Sequence, residues 1–129
     1  MFRTACGQVH PELKILTIGD SNGAAAEGWP EQLKKLFPSA LIINKSISGN
    51  TIGFDNLQRE SLNTVKNISS YLDEAYHQTG ELDFILICVG TNDTKRIFVD
   101  QQKEVPENLS NIFTQIKLYI SEKNKKLPH

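Results

Sequence analysis

Three short polar segments hold the residue types that acyl-transfer chemistry needs: Gly19-Asp20-Ser21-Asn22-Gly23, Ser48-Gly49-Asn50 and Gly90-Thr91-Asn92-Asp93. The Ser21 hydroxyl can attack a carbonyl carbon once a base takes its proton. Gly49 lacks a Cβ, so its N–H can come close to a ligand and its backbone can adopt a positive φ. Asn92 carries a side-chain NH₂ that can donate to a developing oxyanion. Each residue also has an ordinary structural reading. A serine after a strand caps a helix or fills a turn, a glycine there makes a turn, and Asn-Asp is a common cap pair. Only their convergence on one surface makes a site.

The hydrophobic pattern places all three segments at strand ends. Residues 14–18 are short and β-rich and stop at Gly19, as a buried strand does on entering a loop. Ser21 follows at the approach to a helix whose apolar stripe is Trp29, Leu33, Leu36 and Phe37, ended near Pro38. Residues 41–44 form a second strand that leads into the small-residue loop containing Gly49. Leu62, Val65, Ile68, Leu72, Ala75 and Tyr76 then recur at helical steps until Gly80, a candidate left-handed cap. Residues 84–89 are apolar without alternation, which predicts a central strand covered on both faces with Cys88 buried inside it. After Gly90-Thr91-Asn92-Asp93, Pro106 and Glu107 open a helix with Leu109, Ile112, Phe113, Ile116 and Ile120 on its apolar face.

The order βαβαβα predicts an α/β protein with a parallel sheet, right-handed crossovers and helices on both faces. In such a sheet every strand delivers its C-terminal end to the same rim, where ligands bind. The three polar segments therefore belong to one crevice. Three strands are few for this architecture, and an apolar strand at 84–89 left at an edge invites pairing. The expectation is that the natural chain continues past His129, or that an oligomer partner or second chain covers that edge.

Composition narrows the function classes. A chain of 129 residues with a formal net charge of −1 suits one domain and gives no electrostatic footprint for nucleic acid or anionic lipid. Lys123, Lys125 and Lys126 fall where the last helix ends, where cations complement its dipole. Cys6 and Cys88 form neither a CxxC pair nor a disulfide framework and read as ordinary thiols. The first ten residues lack the apolar region of a signal peptide, and no stretch has the length of a membrane span. Cytoplasm is the default location, with a bacterial periplasmic or secreted one if a signal peptide has been removed. Nothing calls for a metal or organic cofactor.

As an ordered set, the segments resemble the first three sequence blocks of the SGNH (GDSL-like) hydrolases. Gly19-Asp20-Ser21 is similar to the nucleophile block, Gly49 to the glycine block, and Gly90-Thr91-Asn92-Asp93 to the Gly-x-Asn-Asp block. The resemblance covers nearly the whole chain and implies a three-layer α/β/α flavodoxin-like domain. It also implies a serine-dependent ester hydrolase, whether esterase, lipase-like enzyme or carbohydrate deacetylase. Ser21 would be the nucleophile, with an oxyanion hole from the Ser21 N–H, the Gly49 N–H and the Asn92 side chain. Asp20, Asn22, Asn50 and Asp93, which flank these three, are expected to bind the substrate, a small ester or acylated sugar. Small residues from Asn22 to Gly28 suggest short acyl groups.

The chain departs from the family at its last block. No Asp-x-x-His occurs, and His10, His77 and His129 do not fall where a general base is needed. Asp73 and His77 share a helix face, but away from the rim. The resemblance thus implies an incomplete domain over residues 1–129, nearly inactive by itself because an unassisted serine hydroxyl is a poor nucleophile. Of four Asn-x-Ser/Thr sequons, at Asn44, Asn67, Asn92 and Asn108, a glycan on Asn92 would block the hole, which disfavours a eukaryotic secretory origin.

Two other readings compete. Gly19-x-Ser21-x-Gly23 also fits the nucleophile elbow of α/β-hydrolases, but that fold places several strands before its serine and here one precedes it. The other is a non-catalytic flavodoxin-like module that binds a sugar or phosphate. Neither G-x-x-x-x-G-K-[ST] nor G-x-G-x-x-G follows the first strand, which weakens a nucleotide reading.

Overall fold

Lys14–Gly19 forms the central strand β1, flanked by β2 (Leu41–Asn44) and β3 (Phe84–Cys88) in the order β2-β1-β3, all parallel. These elements come from a computed structural model that describes residues 12–126. Leu16 pairs with Ile43 on one side and Ile85 on the other, and Ile18 with Ile87. Side chains alternate faces along a strand, so Leu16, Ile18, Ile43, Ile85 and Ile87 share one face.

That face meets α3 (Thr64–Thr79) and α4 (Val105–Lys126). Ile68, Leu72 and Ala75 of α3, and Ile112 and Ile116 of α4, join Leu16 and Ile18 in one buried core. The expected helix over this region is confirmed, with Asn63 as N-cap accepting from the Lys66 N–H and Gly80 as a left-handed C-cap at φ 77°. The opposite face, at Gly19, is met by Trp29 of α2 (Trp29–Leu36). Between β1 and α2 lies a single helical turn, α1 (Ser21–Ala24).

Several expectations need correction. β3 is an edge strand among the described residues, not a central one. Its outward alternation leaves Phe84 53 % and Leu86 37 % exposed, and Cys88 is exposed rather than buried. Its lack of alternation in sequence marks a strand built to be covered, yet one face of it stays open. The stripe on α2 is also only half used: Trp29 and Leu33 turn inward, while Leu36 and Phe37 are exposed. On α4, Phe113 is half exposed although Ile112 and Ile116 are buried. α4 begins at Val105 after a long 3₁₀ segment over residues 96–104. Cys6, His10 and His129 lie outside the described residues. No helix among the described residues is long and apolar enough to cross a membrane.

The α3/α4 face carries the stability. Leu72→Ala should lower it by about 2–5 kcal/mol, because a fully buried leucine leaves a cavity. Leu36→Ala, at an exposed position, should stay within about 0.5 kcal/mol. Urea denaturation of the two variants checks the contrast.

Candidate active site

The C-terminal ends of the three strands do bring the polar segments together, and buried side chains tie them. Asp20, buried, is the N-cap of α1, its carboxylate accepting from the Asn22 N–H at 3.0 Å. This cap starts the helical turn at Ser21, whose side chain is exposed to solvent. The Ser21 N–H opens the turn, where no intrahelical acceptor exists.

Asn50 makes the central tie. It is fully buried, and its Nδ2 donates to the Gly19 carbonyl at 3.1 Å, fixing the loop after β2 to the end of β1. Its own carbonyl accepts from Asn92 Nδ2 at 2.9 Å, fixing the loop after β3 to the loop after β2. One hydrogen of the Asn92 amide is thereby used, and the second is free to meet a ligand. Gly49 stands next to Asn50 with φ 89°, the left-handed region that favours glycine, and a Cβ there would come within 3.2 Å of Leu62 Cδ1. Its carbonyl accepts from Asn56 Nδ2 at 2.7 Å, which holds the peptide that follows it.

Asp93 performs the second tie. Its carboxylate, 1 % exposed, accepts from the Ile52 N–H at 2.9 and 3.0 Å and from the Gly53 N–H at 3.3 Å. Gln102 donates to the Asp93 carbonyl at 2.6 Å, and Phe54 stacks on Phe98 with ring centroids 4.6 Å apart. Burial pushes the Asp93 carboxyl above the usual carboxylate range, and the Ile52 and Gly53 N–H groups oppose that shift. Of the residues expected to touch substrate, Asn22 is exposed, whereas Asp20, Asn50 and Asp93 sit inside the rim and hold backbone.

Ser21, Gly49 and Asn92 thus lie on three loops bonded to one another. His77 does not join them. It precedes the Gly80 cap, and Glu81 and Asp83 just beyond bond to Lys14 at the start of β1, the end of the sheet opposite Ser21. Its expected partner Asp73 accepts instead from the Tyr119 hydroxyl at 2.6 Å, and burial, with Asp73 beside it, raises the Tyr119 pKa. Sequence reading missed Asn56, whose position in a polar loop carries no signal of the bond it makes to Gly49.

No protein-family model matches the chain, and no curated protein matches it by sequence.

Asp93→Asn should cost about 1–3 kcal/mol, because the amide NH₂ would face two N–H donors. The Asp93 pKa is raised in the fold, so its contribution to stability is fully present below the ordinary carboxylate pKa. That contribution is lost as pH rises through the folded value. The gap between wild type and variant in urea melts should therefore narrow as pH rises from the acid range to neutrality. A gap that widens would mean the N–H bonds to the charged form outweigh burial.

Proposed function

We propose that this chain carries the nucleophile and oxyanion hole of a serine ester hydrolase of the SGNH (GDSL-like) type, built on a flavodoxin-like sheet. The observation that carries the reading is the Asn50 tie, which joins the Ser21, Gly49 and Asn92 loops at one rim. The strand order β2-β1-β3 supports it, being the first part of the 2-1-3-4-5 order of flavodoxin-like folds.

In this reading Ser21 Oγ attacks the carbonyl carbon of a small ester or acylated sugar. The carbonyl oxygen, now an oxyanion, accepts from the Ser21 N–H, the Gly49 N–H and the free hydrogen of Asn92 Nδ2. These donors are fixed before substrate arrives, so little reorganisation opposes the charge as it forms. Collapse of the intermediate expels the alcohol and leaves an acyl group on Ser21, which water then removes. The proton from Ser21 needs an acceptor, and among the described residues no histidine stands at the rim. Nucleophile and hole without that base give slow chemistry: binding and the hole alone sustain roughly 10³–10⁴-fold acceleration over water in a comparable serine enzyme.

The same absence favours a second reading, a non-catalytic module that holds a sugar or phosphate at the rim loops. Covalent labelling separates the two. Incubation with a fluorophosphonate followed by peptide mass spectrometry should place the adduct on Ser21 in preference to the exposed helix serine Ser69. Asn92→Ala should slow that labelling by on the order of 10²–10³ while the protein stays folded. Equal labelling of Ser21 and Ser69 would favour the binding module.

A further inference from the structure

Beside the rim, the loop after β2 makes a turn that its residues resist. Leu57 (φ 55°, ψ 29°) and Gln58 (φ 58°) are consecutive non-glycine residues at positive φ, closed by the Arg59 N–H on the Asn56 carbonyl at 3.0 Å. That geometry is normally given to Asn-Gly, and bulky residues held in it are strained. The turn presents Leu57 outward, 65 % exposed, opposite Ile97, 77 % exposed. Between them opens a cleft of about 310 Å³, floored by Phe98 and Asn56 and flanked by Lys95. The Lys95 ammonium bonds to the Asn56 amide oxygen at 3.1 Å and, among the described residues, has no carboxylate partner. Asp55 also lines the cleft, and its carboxylate is occupied by Lys66 at 2.6 Å and by Asn63 at 2.8 Å.

We propose that this cleft binds a small amphipathic anion, an alkyl or aryl group bearing a carboxylate, with its apolar body between Leu57 and Ile97 and its charge on Lys95. The assignment follows from charge complementarity: a mostly apolar cleft of ligand size holds one cation met only by a neutral amide, while its one carboxylate, Asp55, is already paired with Lys66. The strained turn is the means of holding a leucine at the mouth, where glycine would give the same backbone at less strain but no apolar wall. Asn56 couples the cleft to the rim, since the amide that accepts from Lys95 also donates to the Gly49 carbonyl.

The test is binding to the full chain, followed by backbone amide NMR, with hexanoate, 1-hexanol and acetate as probes. Hexanoate should shift the amides of Leu57, Lys95 and Ile97 and bind about tenfold more tightly than either 1-hexanol or acetate, the equivalent of one charged contact or one apolar wall. Lys95→Met should abolish the preference over 1-hexanol. Leu57→Gly should raise Tm while weakening hexanoate several-fold, a pairing that a merely structural turn would not produce. Equal affinity for hexanoate and 1-hexanol, shifts confined to other regions, or no shift at about 20 mM hexanoate would each overturn the proposal. So would unchanged hexanoate affinity in Leu57→Gly. None of these outcomes depends on Ser21 reacting, so failure here and failure of the hydrolase reading are separate results.

Discussion

The buried side chain and carbonyl of Asn50 hold the rim together. A parallel sheet guarantees only that the three loops leave its same end; it does not fix their distances. The bond from Asn50 to the Gly19 carbonyl and the bond it receives from Asn92 supply that fixation. The bond to Gly19 is buried and the bond from Asn92 partly so, and breaking the first leaves an unsatisfied buried group. Gly49 takes its positive φ beside this tie, and Asp93 repeats the device by gathering the Ile52 and Gly53 N–H groups. The polar residues nearest the candidate nucleophile therefore divide into an exposed set that can meet ligand and a buried set that places it.

The sheet imposes a different constraint. Its α3/α4 face is sealed by Ile68, Leu72, Ala75, Ile112 and Ile116, while β3 keeps an open face with Phe84, Leu86 and Cys88 exposed. Edge strands of monomers usually carry charge, proline or a bulge, and Phe84–Cys88 has none of these within its span. The loop after β2 is anchored to the start of α3, where the Thr64 and Val65 N–H groups donate to the Thr51 and Ile52 carbonyls, while the Ser21 turn is held from β2 by the Asn44 side chain on the Gly23 carbonyl.

Much of this was legible in the sequence. Strand positions, α3 with its Gly80 cap, and the convergence of the three polar loops follow from apolar runs, helical spacing and parallel topology. Exposure was less legible. An unbroken apolar run implies a strand covered on both faces, but coverage depends on neighbours that the run itself does not encode, so β3 and Cys88 were misplaced. Leu36, Phe37 and Phe113 fit a helical stripe by spacing yet fall at its margin, beyond the reach of the sheet. Asn50 and Asp93 looked like ligand contacts because polar residues at a rim serve equally as contacts or as ties, and only the hydrogen-bond partners separate the two. The Leu57–Gln58 turn was invisible, since neither residue signals positive φ.

The hydrolase function proposed for this chain requires Ser21, Gly49 and Asn92 to converge on one oxyanion. A crystal structure of the chain carrying a phosphonate on Ser21 tests it directly. A phosphonyl oxygen should lie within hydrogen-bond distance of the Ser21 N–H, the Gly49 N–H and Asn92 Nδ2, with the Asn50 tie unchanged. A phosphonyl oxygen turned to solvent, with Gly49 and Asn92 making no contact to it, would contradict an oxyanion hole at this rim.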